Sequence, residues 1–275
     1  MCAIGLAAVL ALTSTVPLRA EEPGLMERAL IWLQTKRYEK EYRENMKKSF
    51  LLDLYLSRNG RDTGLWNREI PTYRRRLAEF TASLGRAPAG DTIAFGDSLL
   101  DLTRKKLHAV PAAMNFAISG SWAHHMARMA SDIRPLLERA DIYPSIKYVV
   151  VGSLGGNPLL MRQPVERTIE KSMDALDAIR RLYPDARIIV FGIPPTISMY
   201  VNTNAPAFEA ALYRWVFADR DAVMLPLQRQ FAGSLGLFPK AVMSVDGVHF
   251  SAQGASEFDR LIEKAKRARA KSIID

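Results

Sequence analysis

TIAFGDSLLD, residues 92–101, decides how this chain is read. Thr92 to Phe95 form a short apolar run that Gly96 stops, and Asp97-Ser98 follows before apolar residues resume. A run of this kind reads as a strand buried on both faces. The serine then falls on a tight strand-to-helix turn, close to a helix N-terminus. Its backbone N–H there can face the oxygen of a bound acyl group. A lone GDS is weak evidence, because Asp or Ser commonly caps a helix and Gly commonly ends a strand.

Similar runs follow along the chain, each ending in Gly or Asn or, in the weakest, at Pro. They are AAMNF (112–116), KYVVVG (147–152), ARIIVFG (186–192) and, more weakly, AVMLP (222–226). Helical stretches lie between them, at 123–139 and 165–182. Short buried strands alternating with amphipathic helices imply a parallel sheet covered on both faces. In such sheets, sites gather at the carboxyl ends of the strands.

Upstream of residue 91 the pattern is helical. Residues 24–83 carry apolar positions at mixed spacings of three and four, and Asn59-Gly60 interrupts them. A helix is expected from Pro71 to about Leu84, with proline at its start. GRAPAG (85–90) reads as a linker. Packing, cover of a substrate cleft and partner contact all remain open as roles for this extension. Residues 3–18, AIGLAAVLALTSTVPL, are uncharged and short for a membrane span. They suit the apolar core of a signal peptide, with Ala20 at the cleavage site. A membrane anchor through residues 2–18 is the alternative. Met1-Cys2-Ala3-Ile4 has no basic residue, so the native start is expected upstream of Met1. The expected division is a leader or anchor at 1–20, a helical extension and linker at 21–90, and a main domain at 91–275. The expected location is extracytoplasmic, periplasmic or secreted.

The chemistry-bearing residues sit at the strand ends. Asp246-Gly247-Val248-His249-Phe250-Ser251 precedes a helix expected from about Gln253. An Asp and a His three apart can point into one cleft. The carboxylate can accept Nδ1–H and leave Nε2 to take a serine proton. Of the four histidines, at 108, 124, 125 and 249, only His249 has a carboxylate at that spacing. Asn115-Phe116-Ala117-Ile118-Ser119-Gly120 and Gly152-Ser153-Leu154-Gly155-Gly156-Asn157 end two further strands. The N–H of Gly120 and the amide of Asn157 could complete an oxyanion hole with the N–H of Ser98. Each alone is an ordinary turn.

The four blocks in this order resemble the SGNH/GDSL hydrolases, over roughly residues 91–266. The blocks are IAFGDSLLD, NFAISG, GGN and DGVHFSAQG. The resemblance implies a three-layer α/β/α sandwich, flavodoxin-like, with a five-stranded parallel sheet. It implies Ser98 as nucleophile, His249 as base and then acid, and Asp246 as its orienting carboxylate. It assigns the oxyanion hole to Ser98, Gly120 and Asn157, with no metal or organic cofactor. Two positions depart from the family pattern. Ala117 stands where a glycine is usual, and Pro158 follows Asn157 where an aspartate is usual. Proline restricts the residue before it, so Asn157 is expected to be extended. The implied substrates are O-acyl esters, with O-acetyl groups of an envelope glycan and small or lipid esters as candidates. A non-catalytic protein of this fold that binds acylated glycan or a partner is the competing reading.

Composition narrows the field further. The 275 residues are 48% hydrophobic and 24% charged, as in a soluble globular protein. The formal charge is +9, which favours anionic surroundings. The basic clusters Lys36-Arg37, Lys47-Lys48 and Arg74-Arg75-Arg76 are interleaved with Glu39, Glu41, Glu44 and Glu79. Mixed signs mark a solvated face, and no nucleic-acid partner is expected. Cys2 is the one cysteine, so neither an intramolecular disulfide nor a cysteine zinc site can form. His124 and His125 are adjacent and do not share a helix face.

Overall fold

Four of the five apolar runs alternate their side chains between two opposite cores, and this alternation sets the architecture. In β1 (Thr92–Gly96), Ile93 and Phe95 enter one core and Ala94 the other. Val149 and Val151 of β2 (Tyr148–Gly152) face the first core and Val150 the second. Ile188 and Val190 of β3 (Arg187–Phe191) oppose Ile189 and Phe191 in the same way, as do Ala222 and Met224 against Val223 and Leu225 in β4 (Ala222–Leu225). Strands that bury both faces need helices on both sides.

The protein is described by a computed structural model that covers residues 71–84, 90–161, 163–196, 198–231, 242–244 and 247–274. The leader or anchor at 1–20 and the extension up to residue 70 lie outside the described residues. Among the described residues no helix is long and apolar enough to cross a membrane.

Helices supply both outer layers. Beneath one face pack α1 (Pro71–Leu84), α3 (Ala123–Arg139), α5 (Val165–Leu182) and α6 (Met199–Ala218). Beneath the other pack α2 (Ser98–Thr103), α7 (Leu227–Phe231) and α8 (Ala252–Arg267). The short α4 (Gly156–Leu160) follows β2 and buries Leu159 in the first core. The strands pair in parallel in the order β1-β2-β3-β4-β5, with β5 (Ser272–Ile273) at the edge. The molecule is thus the three-layer α/β/α sandwich with a five-stranded parallel sheet that the sequence suggested.

One strand differs from expectation. AAMNF forms a 3-10 turn at Ala112–Met114, and only Asn115 bridges Ala94. The chain beyond it follows β1 through Phe116 N–H to Ala94 C=O at 2.8 Å and Ile118 N–H to Gly96 C=O at 3.0 Å. The asparagine side chain is the physical reason. Its Nδ2 donates to Leu100 C=O at 2.9 Å and its Oδ1 accepts from Ala117 N–H at 3.1 Å. Those bonds draw the segment toward α2 and replace a regular ladder. The fifth strand is the C-terminal pair Ser272-Ile273, placed by Lys271 N–H to Ala222 C=O and Ile274 N–H to Met224 C=O.

Helix α1 shares the core of the sheet. Phe80 meets Phe116 edge-on at 4.9 Å, and Tyr73 Oη donates to Asp132 at 2.6 Å. Edge-to-face aromatic pairs contribute about 0.5–1.5 kcal/mol beyond their burial.

Candidate active site

Chain path brings the site together. After β1 the chain runs along one edge of that strand at 115–118, and α3 then carries it across to β2 on the other side. The crevice at the carboxyl end of β1 is therefore a topological switch point, where open α/β sheets bind ligands.

Ser98 is the first residue of α2, directly after the strand. Gly96 permits the turn, because a Cβ there would lie 2.5 Å from Leu100 Cδ1 and collide with the Gly152 carbonyl. Asp97 caps the helix, its Oδ1 accepting from Leu99 N–H at 3.0 Å. The cap fixes the first turn and with it the direction of the Ser98 side chain.

His249 arrives from a separate hairpin. Met243 bridges Phe250 antiparallel, and Ser244 N–H donates to His249 C=O at 2.7 Å. Ser251 caps α8 through Gly254 N–H at 3.0 Å. His249 Nε2 and Ser98 Oγ stand 2.8 Å apart. For Nε2 to accept the serine proton the ring must carry its own proton on Nδ1. Asp246, the expected partner of Nδ1, lies outside the described residues. Gly254 lets the hairpin close, since a Cβ there would collide with the Val242 carbonyl oxygen. Gly254→Ala is expected to push the hairpin and His249 outward. Thermal unfolding should report a loss of about 1–3 kcal/mol, the usual cost of overpacking, and any ester hydrolysis should fall with it.

Asn157 follows β2 and Gly120 follows the edge segment 115–118, on opposite sides of β1. Asn157 lies in the first turn of α4, so the expectation of an extended residue before Pro158 is corrected. A proline in a helical first turn lacks only an N–H that would be unpaired there. The Asn157 Nδ2 donates to Ser121 C=O at 3.0 Å and to Asp97 Oδ2 at 3.4 Å, so it ties together the segments that follow β1, β2 and the edge segment. Gly120 has φ +84° in a turn closed by Ser121 N–H to Ile118 C=O at 3.1 Å. A positive φ at the third position defines a type II turn and favours glycine. Of the residues singled out in the sequence, the structure thus brings Ser98 and His249 into contact. It links Asn157 to the same turn through Asp97, and sets Gly120 on the adjacent edge segment.

Sequence reading missed the part Asp97 plays beyond capping. Its carboxyl is buried, and burial pushes its pKa from the ordinary 3.8 up to about 6; the Leu99 N–H, the charge of His249 and the Ser153 backbone act in the opposite direction. A carboxyl that binds protons more tightly when folded stabilises the fold fully below its unfolded pKa. That contribution disappears as pH rises through the folded pKa. Asp97→Asn keeps an acceptor for Leu99 N–H and removes the buried charge. The variant is expected to match the wild type near pH 3.8 and to gain stability between pH 3.8 and 6. The gap should then stay near 3 kcal/mol, on the order of 1.4 kcal/mol per pKa unit over a rise from 3.8 to about 6. Denaturant unfolding at pH 4 and pH 8 checks this. Equal gaps at both values would refute it.

Other residues near the site are structural. Phe250 packs between Phe231 and Phe258, at 5.4 and 5.1 Å, and belongs to the core. Trp122 is half-buried and caps α3, where its N–H donates to His125 Nδ1 at 2.9 Å. Burial holds the His125 imidazole well below its usual pKa. Ser153 Oγ is buried and has no hydrogen-bond partner among the described residues.

No family model and no curated protein sequence matches this chain. Solved structures do match it. A GDSL-like lipase from Bacteroides thetaiotaomicron is similar at 15% identity with a TM-score of 0.53, covering 70% of this chain and 96% of that one. A "putative acylhydrolase" from Bacteroides fragilis is similar at 15% identity with a TM-score of 0.54, covering 69% of this chain and 95% of that one. At such identity the likeness concerns the fold, and the fold is that of the SGNH/GDSL hydrolases.

Proposed function

We propose that this protein is a serine ester hydrolase that works through an acyl-Ser98 intermediate. The observation that carries the reading is the 2.8 Å approach of His249 Nε2 to Ser98 Oγ. It occurs at the switch point of the sheet, where a nucleophile on a strand-to-helix turn is presented to ligand. Ser98 Oγ attacks the ester carbonyl carbon as His249 takes its proton. The N–H groups of Ser98 and Gly120 and the Asn157 amide hold the negative oxygen that forms. When the tetrahedral adduct collapses, His249 protonates the departing alcohol. Water then adds to the acyl-serine by the same route, releasing the acid and restoring Ser98. Asp246, three residues before His249, is assigned to hold Nδ1–H throughout.

The substrate is assigned to O-acyl esters in an extracytoplasmic setting, with O-acetyl groups of an envelope glycan first and small or lipid esters second. The apolar run at 3–18 and the formal charge of +9 support this choice, since a basic surface is drawn to anionic envelope polymers. The fold alone does not select a substrate. Purified full-length protein is expected to hydrolyse p-nitrophenyl acetate faster than the butyrate and to release acetate from an O-acetylated glycan. Butyrate preference without acetate release would move the assignment to lipid esters. Binding of acylated glycan by a chain that hydrolyses neither ester would support the non-catalytic reading instead.

A further inference from the structure

Asp101 gathers three segments of the chain one helical turn beyond Ser98. Its Oδ2 accepts the Ser119 N–H at 3.0 Å and the Ser119 hydroxyl at 2.8 Å. Its Oδ1 accepts from the guanidinium groups of Arg76, on α1, and of Arg104, the latter at 3.0 Å. Both arginines also donate to the Ala117 carbonyl, at 3.2 and 2.9 Å. Each lies over the Phe80 ring with its Cζ 5.2 Å from the centroid. The side chains of Arg76, Asp101 and Arg104 are only 14%, 20% and 16% exposed. Partly buried charges of this kind are screened far less than surface pairs. Two arginines clamped on one carboxylate restrict its motion and so fix what else it binds.

What it binds is the turn at 118–121. Ser119 is the second residue of that turn and Gly120 the third. The Gly120 N–H belongs to the peptide that joins them. A type II turn differs from a type I turn by rotation of this central peptide, and such a rotation would change where the Gly120 N–H points. Anchoring Ser119 at both its N–H and its hydroxyl opposes that rotation. Carbonyl 117, held by the two arginines, secures the chain just before the turn.

We propose that Asp101 is a positioning residue for the oxyanion donor Gly120, and that Arg76 of α1 holds Asp101 in place for this role. The inference rests on the hydrolase reading above. It gives α1 a function in the site, although its residues lie well before the nucleophile in sequence. Asp101 itself touches no reacting atom, so its removal should weaken transition-state stabilisation and leave substrate binding largely intact.

The test uses the full-length chain with p-nitrophenyl acetate, with active sites counted by fluorophosphonate titration. Ser98-dependent hydrolysis by the wild type comes first. Its absence would overturn the hydrolase reading and this inference together, before any Asp101 variant is made. With that activity in hand, Asp101→Ala is expected to lower kcat about 10–100-fold per titrated site, less than the 10²–10³ typical of losing an oxyanion donor outright. KM should stay within about threefold, and Asp101→Glu should recover part of the loss, because a uniform binding role would move KM instead. A folded Asp101→Ala with wild-type kcat overturns the inference. If Asp101→Ala does not fold, Arg76→Gln decides. A lower kcat at unchanged KM supports the role, and an unchanged kcat overturns it.

Discussion

Ser98→Ala is expected to lower kcat for p-nitrophenyl acetate by about 10⁶-fold, and His249→Ala by a similar factor. Losses of about this size follow when either member of a serine–histidine pair is removed. The reason is that the pair acts as one unit. Without His249 the Ser98 hydroxyl keeps its proton and is a poor nucleophile. Without Ser98 the imidazole has no acyl acceptor to activate. The double variant should therefore be no slower than either single variant, in contrast with the additive behaviour of independent sites. Ser98 starts α2 after the Asp97 cap and His249 lies two residues before the Ser251 cap of α8, and neither residue makes a cap, so both variants should keep the wild-type unfolding transition. Steady-state kinetics on the three variants measures this. Losses that multiply in the double variant would mean that the two residues act separately.

Asn157→Ala is the second large effect, a fall in kcat of about 10²–10³-fold with KM little changed. In the structure one Asn157 amide contact, to Ser121 C=O, is 3.0 Å long, and the other, to Asp97 Oδ2, is 3.4 Å. The longer bond is the weaker, and it is the one an oxyanion would replace. The amide then exchanges a carboxyl acceptor for the developing charge and keeps its anchor on Ser121. Asn157→Asp should lose as much activity, since it substitutes a second negative group for the donor. Rates within about threefold of wild type in Asn157→Ala would show that Ser98 and Gly120 suffice without this amide.

Much of the scaffold was legible because the strands are buried on both faces. Burial of that kind writes continuous apolar runs, and 92–96, 147–152, 186–192 and 222–226 all contain strands. The amphipathic stretches at 123–139 and 165–182 became α3 and α5 with the same bounds, because a half-exposed helix repeats its pattern at every turn. AAMNF was misleading for a local reason. Met114 and Phe116 are buried, yet the Asn115 side chain captures the backbone on both sides, and no hydropathy pattern records that. Ser272-Ile273 was invisible because two half-buried residues beside Lys271 carry no pattern at all.

The site divides along similar lines. Ser98 and His249 stand in compact sequence blocks whose spacing is itself chemical information. The partners that hold them are distant in sequence and ordinary in type. Arg76 and Asp101 read as surface charges until folding brings them together, and Asp97 reads as a helix cap, which it also is. A carboxyl whose proton affinity rises by burial leaves no sign in the order of residues, because burial is a property of the packed layers.

The measurement that bears most directly on the central claim is reaction of the folded full-length protein with a fluorophosphonate, followed by peptide mass spectrometry. The account predicts one adduct per chain, on Ser98, formed far more slowly in His249→Ala. A folded wild-type chain whose Ser98 stays unmodified at high reagent would contradict it.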